Sequence, residues 1–218
     1  VNVTAVADAP TVTVSDVTGA EDTAIPLDIA VALAAPQAMF VLDAGSDGVL
    51  KIGTDGTVEV MVSQDDIKAV TGESGANLND RGIAINDDGD VFFTDQQSDS
   101  LLMQPGDGGP LQVIATTADI KALTGISYAD PKAIAIGPDG VIYIAEDTSD
   151  SILSFDPTTG QFEVVVTGAQ LEALGGISSV DLAGGMAVSA DGTLYAVSDG
   201  TPDAIFAIDT ATGTPEVL

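Results

Sequence analysis

Short apolar runs recur along most of this chain and alternate with turns rich in Gly, Pro and Asp. One clear example is the run at residues 134–136, which is followed by Pro138-Asp139-Gly140 and then by a second run at residues 141–145. Runs this short, rich in β-branched and aromatic residues and bounded by Pro and Gly, predict β-strands joined by tight turns.

The same strand–turn–strand pattern occurs four times. The first apolar residue of each copy falls at position 31, 83, 134 or 186, which gives a repeat of about 52 residues. Each copy contains four strand-like runs, and four-stranded units repeated in tandem at this spacing are typical of β-propeller blades. The sequence therefore predicts an all-β fold, a β-propeller of four four-stranded blades at about residues 29–80, 81–131, 132–183 and 184–218.

A second repeated segment follows the fourth run of the first three copies. It starts at Ser63, Thr116 and Thr167, each with Asp or Gln three residues later, and it ends near a Gly. This is a capping pattern for a short helix with a glycine stop. We expect short helices to link consecutive blades at one rim of the propeller.

The closure of the ring is open to three arrangements. Four blades could close on their own, the chain could form part of a larger propeller, or two chains could combine. Closure by four blades is favoured, because the first repeat also contains four strand-like runs, with residues 30–33 as its first strand.

The first 28 residues differ from the repeats. Residues 1–6 and 11–14 alternate apolar and polar positions like strands, and a loop with Glu21-Asp22-Thr23 follows. The segment Ala5-Val6-Ala7-Asp8-Ala9-Pro10-Thr11, with this loop after it, resembles the junction between Ig-like or cadherin-like repeats of bacterial adhesins. That resemblance implies a linker or strand-like segment at residues 1–28 and a place in a bacterial surface protein.

Charge and composition limit the chemistry. The chain carries 34 acidic and 5 basic residues, a net charge of −29, and it has no His and no Cys. We therefore expect no binding to nucleic acid, which requires Lys and Arg to neutralise phosphates. The sequence contains no apolar run long enough to predict membrane insertion. Catalysis by His or Cys is excluded, which leaves carboxylates, hydroxyls and backbone groups, the oxygen ligands that calcium prefers.

Residues 129–160 resemble the repeats of NHL and SMP-30/gluconolactonase propellers. The features that carry this resemblance are Pro131, the Asp139-Gly140 turn, the aromatic Tyr143 in the second strand and the acid Glu146 that ends it. The resemblance covers most of residues 30–218. It implies a propeller of a kind that usually has six blades and that serves as lactonase, lyase or binding platform.

Acidic residues recur at equivalent loop positions, which a propeller brings to one rim. These residues are candidate ligands of a divalent cation such as calcium. One group consists of carboxylates after the second strand of each blade, and the other consists of the last two residues before the second blade. The candidates are Asp43, Asp95, Glu146, Asp147, Asp199, Asn79 and Asp80. Carboxylates this close repel each other unless a cation neutralises them. The alternative interpretation is that these acids accept hydrogen bonds in their own turns and face water.

Three functions remain. The first is a non-catalytic binding or structural module of an extracellular bacterial surface protein, which could hold calcium and bind an unknown ligand or the neighbouring domains of a larger protein. The second is an extracellular subunit that forms homo-oligomers by pairing its N-terminal strand with a neighbour's sheet edge. The third, implied by the resemblance, is a metal-dependent lactonase with Asn79 and Glu146 among its ligands.

Overall fold

The computed structural model describes residues 11–14, 29–32, 38–174 and 176–218. Seventeen strands form antiparallel sheets in these residues, and the strand order within each sheet follows the sequence. The strands of the N-terminal pair and the first large sheet are β1 (Thr11–Val14), β2 (Ile29–Ala32), β3 (Met39–Asp43), β4 (Gly48–Ile52) and β5 (Val58–Val62). No helix in the described residues is long and apolar enough to cross a membrane.

The next three sheets have four strands each. The second contains β6 (Ile83–Ile85), β7 (Val91–Asp95), β8 (Ser100–Gln104) and β9 (Gln112–Ala115). The third contains β10 (Pro131–Ile136), β11 (Ile142–Glu146), β12 (Ser151–Asp156) and β13 (Gln161–Val166). The fourth contains β14 (Met186–Val188), β15 (Thr193–Ser198), β16 (Ala204–Asp209) and β17 (Thr214–Val217). The predicted all-β propeller fold, with its tandem blades, is confirmed.

The first sheet differs from the prediction in one strand. It has three strands, β3, β4 and β5, because β2 pairs with β1 instead of β3. The predicted strand at residues 11–14 is present, whereas the predicted strand at residues 1–6 lies outside the described residues. Strand β2 is apolar at all four residues, so its pattern predicted a strand but not its partner.

The hydrophobic core lies between consecutive sheets. One apolar cluster joins the first and second sheets, another joins the second and third, and another joins the third and fourth. Strands β7 and β11 are buried at every residue because a sheet covers each of their faces. Their sequences are therefore apolar over at least their first three residues, without alternation.

Short helices connect the sheets as predicted: α1 (Gln64–Thr71), α2 (Thr117–Thr124) and α3 (Gly168–Glu172) follow β5, β9 and β13. Each begins with a capping box, formed by Ser63, Thr116 and Thr167 with the residue three positions later. Helices α1 and α2 end at a glycine in the left-handed conformation, whereas α3 ends at Ala173 without one.

The first strands of neighbouring sheets lie side by side. Strand β3 contacts β6, β6 contacts β10, and β10 contacts β14. The approach is close at Gly82. Its amide donates to the carbonyl of Lys132 at 2.8 Å, and a Cβ atom there would lie 2.5 Å from the amide nitrogen of Ile134. Strands β14 and β3 make no comparable contact in the described residues. The sheets form an open arc, so the favoured closure by four blades is wrong.

Candidate functional site

The predicted acidic rim is the end of the arc at which β3, β7, β11 and β15 finish. Two buried carboxylates hold this rim together. The Asp95 Oδ1 atom accepts the amide of Asn77 at 2.7 Å, and its Oδ2 atom accepts the amide and hydroxyl of Ser98. Glu146 repeats the arrangement: Oε1 accepts the amide of Asp130 at 2.7 Å, and Oε2 accepts the amide and hydroxyl of Ser149. Each carboxylate therefore joins the segment before its sheet to the turn after the second strand.

In the described residues of the outer two sheets, no carboxylate at this position makes such a connection. In the first sheet, Asp43 accepts hydrogen bonds from the Gly45 amide and from Ser46, all within its own turn. In the fourth sheet, Ser198 occupies the position of Glu146, and its hydroxyl accepts the amide of Asp181 at 3.0 Å. A serine can satisfy that amide, but it adds no charge to the rim.

A motif that sequence analysis missed produces these turns. An acid is followed three residues later by Ser and then by Asp: Asp43-Ala44-Gly45-Ser46-Asp47, Asp95-Gln96-Gln97-Ser98-Asp99 and Glu146-Asp147-Thr148-Ser149-Asp150. The final Asp of each copy has a left-handed backbone, with φ of 49°, 49° and 50°. Asp is among the few non-glycine residues that adopt this conformation readily. The threefold spacing was visible in the sequence and could have identified the motif.

Two of the five basic residues lie at this rim. The side chain of Arg81 is 1% exposed, and its Nη1 atom lies 2.6 Å from Asp130 Oδ1 and 2.8 Å from the carbonyl of Pro131. Lys132 Nζ lies 2.6 Å from Asp147 Oδ2 and 3.7 Å from Asp130 Oδ2. Arg81 and Lys132 therefore supply positive charge where the sequence analysis expected a cation.

Burial raises the pKa of two further acids at this rim. Desolvation and the nearby charge of Asp130 together raise the pKa of Asp99 from 3.8 to about 6, although Arg81 opposes the shift. The Oδ1 atom of Asp99 is buried and accepts no hydrogen bond. Burial also raises the pKa of Asp150 to about 6, although the Leu182 amide opposes the shift.

The predicted metal ligands do not all occupy equivalent positions. The Asp199 amide donates to the carbonyl of Asp181 at 3.0 Å, just as the Asp147 amide donates to that of Asp130 at 3.1 Å. Asp199 therefore corresponds to Asp147. Ser198 holds the place of Glu146 in the fourth sheet.

The segment before the second sheet is also shifted. Asn77 takes the position of Asp130, because its amide and carbonyl make the equivalent hydrogen bonds with Asp95 and Gln96. Asn79 and Asp80 lie beyond it and are exposed. In the part of the chain that the structure describes, no three His, Cys, Asp or Glu residues lie together as a metal-binding group. Calcium binding stays a prediction.

Two surface cavities lie away from the rim residues. One, of about 600 Å³, lies at the opposite end of the fourth sheet, between the turn at Gly192 and the turn at Thr212. The other, of about 400 Å³, lies between β5 and the turn that joins β8 to β9, near Lys51 and Pro105. Neither cavity is lined by a residue that the sequence proposed as a metal ligand.

Comparison with known proteins supports the fold. No protein-family model and no curated protein sequence matches the chain. Among solved structures, the nidogen/laminin complex aligns with a TM-score of 0.59 and 19% identity, over 84% of this chain and 60% of that one. A gluconolactonase from Xanthomonas campestris aligns with a TM-score of 0.56 and 19% identity, over 83% of this chain and 57% of that one.

A virginiamycin B lyase from Staphylococcus aureus aligns with a TM-score of 0.55 and 16% identity, over 88% of this chain and 59% of that one. The chain thus spans less than two thirds of the length of these structures. No sequence match confirms the resemblance to NHL propellers or to an adhesin junction. At these identities the likeness shows one thing about the chain, which is that its fold is that of a β-propeller.

Proposed function

We propose that this chain is a non-catalytic binding or structural module of an extracellular bacterial surface protein. The observation that carries the proposal is that two buried rim carboxylates bind groups of the protein itself. Both oxygens of Asp95 and of Glu146 accept hydrogen bonds, and both residues are 0% exposed. Such carboxylates stabilise the rim and are unavailable to a substrate.

A hydrolase would need different groups at this position. A general base must reach the proton that it removes, and a catalytic metal must keep a coordination position open for water or substrate. The lactonase hypothesis placed Glu146 at the metal, but Glu146 binds the Asp130 amide and Ser149. The other ligand in that hypothesis, Asn79, is exposed, and it lies outside the position equivalent to Asp130. These contacts favour a structural role for the rim.

We expect no hydrolysis of a panel of five- and six-membered lactones above the buffer rate, with or without added Ca²⁺, Mg²⁺, Mn²⁺ or Zn²⁺. The measurement is a pH-stat assay, with an active lactonase as the positive control. The matched variants are Asp99→Asn and Asp150→Asn, which remove the two rim acids with pKa values of about 6. If the unmodified chain turns over a lactone and either variant abolishes that turnover, the non-catalytic proposal is overturned.

Two features support the extracellular surface assignment. The net charge of −29 favours solubility in salt-rich surroundings. The first residues resemble an adhesin junction. The alternative of assembly through the N-terminal strand remains a prediction. In the structure, β1 pairs with β2 of the same chain, which leaves each strand one edge for another partner.

Calcium binding is tested by thermal unfolding. If the rim carboxylates hold Ca²⁺, millimolar calcium raises the Tm and EDTA lowers it, because a ligand that binds the folded state alone stabilises that state. Magnesium at the same concentration is the control for screening of the net charge. Equal Tm values in calcium, magnesium and EDTA would contradict a structural calcium site.

A further inference from the structure

The last sheet has an exposed apolar face, whereas the equivalent faces of the earlier sheets are buried. Three side chains on this face, Tyr195, Val197 and Ile205, are 37%, 44% and 46% exposed. Strand pairing places Val197 directly opposite Ile205, and Tyr195 lies on the same face two residues earlier. We call these three residues the trailing face.

The equivalent face of each earlier sheet is buried. Tyr143 and Ile152 occupy the positions of Tyr195 and Ile205 in the third sheet, and they are 4% and 0% exposed. They pack against Leu194 and Phe206 of the fourth sheet. The trailing face thus has the composition of an interface inside this protein, but no sheet of the described residues covers it.

The first sheet has the complementary surface on its opposite side. Met39, Val58 and Val60 are 42%, 61% and 66% exposed. Strand pairing places them on one face together with Leu50 and Ile52. We call these five residues the leading face.

The leading face also corresponds to buried surface elsewhere. In the second sheet, Val91 and Leu102 hold the positions of Met39 and Leu50, and both are 0% exposed. Those residues pack against Val49, Phe40 and Leu42 of the first sheet. In every internal interface, a trailing face packs against a leading face, so the chain carries both halves of one more interface.

We propose that the trailing face of one copy of this chain packs against the leading face of a second copy, so that the propeller arc continues from molecule to molecule. This inference rests on the proposed structural function and names its partner. The two faces of one molecule do not meet, because the arc is open between β14 and β3. A second copy supplies the matching half with the same residue types and strand geometry as the internal interfaces.

Such a contact is heterologous, since two different surfaces meet. Repetition of the contact closes a ring if the rotation allows it, and otherwise extends an open chain. On the leading side, Glu59 and Lys51 point to the other side of the first sheet. On the trailing side, Glu216 lies on the outer strand opposite Ala207, in the place that Glu163 holds in the third sheet. The net charge of −29 on each copy opposes association, and salt screens this repulsion. Association should therefore be stronger at high ionic strength.

The test is sedimentation velocity of the full chain from low to several hundred micromolar concentration, at low and high salt. Two variants each block one face: Val197→Asp on the trailing face and Val60→Asp on the leading face. Both positions are exposed within one copy, so circular dichroism should show unchanged folding. A charge buried without a partner should weaken association on the order of 100-fold. Val70→Asp, on the exposed side of α1 and outside both faces, is the matched control.

We expect the unmodified chain and the control to gain mass with concentration, and each blocked variant to remain monomeric. A 1:1 mixture of the two blocked variants should form a dimer that grows no further, because it retains one intact interface. A monomeric unmodified chain at every concentration would overturn the inference. Self-association of Val60→Asp alone would also overturn the inference. That result would indicate that two trailing faces meet each other, or that the N-terminal segment occupies the leading face. Lactone turnover would overturn the proposed function independently of these results.

Discussion

Replacement of Glu146 by Ala should lower the free energy of unfolding by roughly 3–5 kcal/mol. The variant leaves the amides of Asp130 and Ser149, and the Ser149 hydroxyl, without their acceptor in a place where Glu146 is 0% exposed. Each buried donor without an acceptor costs about 1–3 kcal/mol. Asp95→Ala should have a similar effect, because Asp95 satisfies three donors in the same way.

The control for this experiment is Asp43→Ala. Asp43 also accepts from its turn, but its hydrogen bonds are exposed and none reaches another segment. Water can replace them, so we expect a loss of about 1 kcal/mol or less. The measurement is chemical denaturation of the three variants at neutral pH. Similar losses for Asp43→Ala and Glu146→Ala would show that burial and the link between segments do not matter.

Asp99→Asn should stabilise the protein at neutral and alkaline pH. The pKa of Asp99 is raised from 3.8 to about 6 by burial, so the folded state holds its proton more tightly than the unfolded state. The stability from this proton is fully present below pH 3.8 and is lost as the pH rises through 6. Asn has no charge to bury, and it also tolerates the left-handed backbone at this position.

We expect Asp99→Asn and the unmodified chain to have the same stability near pH 4. Above pH 7 the variant should be more stable by about 1–2 kcal/mol, a value reduced from the full pKa shift because solvent reaches part of the side chain. The matched control is Asp47→Asn, at the same turn position with the same φ. It should bring no gain, because Asp47 accepts hydrogen bonds from Gln64 and the Leu78 amide. A loss of stability in Asp99→Asn at pH 8 would contradict the interpretation.

Local patterns predicted the elements of this protein well. The capping residues Ser63, Thr116 and Thr167 identified all three linker helices, because a helix start depends on neighbours within three residues. The strands followed from apolar runs and from the Gly and Pro turns between them. The tandem four-stranded plan followed from the repeat of about 52 residues.

The sequence was less informative about relations between distant segments. The sequence placed Asp199 among the acids after the second strands, with Glu146 and Asp147, and placed Asp80 just before the second blade. The hydrogen-bond register shows that Ser198 and Asn77 hold the positions of Glu146 and Asp130. A shift of one residue leaves the composition of a loop unchanged but moves a side chain to another place. Arg81 was counted as one of five bases, and its burial beside Asp130 depends on contacts 49 residues apart.

Closure also depended on information that a repeat pattern lacks. The spacing at 31, 83, 134 and 186 counts the blades, but the angle between neighbouring sheets is set by side chains such as Phe92 and Tyr143 packed between them. Strand β2 shows the same limit, since its own apolar pattern does not identify β1 as its partner.

The open arc has a consequence for how this protein unfolds. Each sheet packs mainly on its immediate neighbours, so the stability resembles the sum for a linear array, with one term for each sheet and one for each interface. The inner two sheets have two interfaces, and the outer two have one. The buried carboxylate links of Asp95 and Glu146 belong to the inner sheets as well. Partial unfolding should therefore begin at the ends of the array and leave the second and third sheets as the last folded unit.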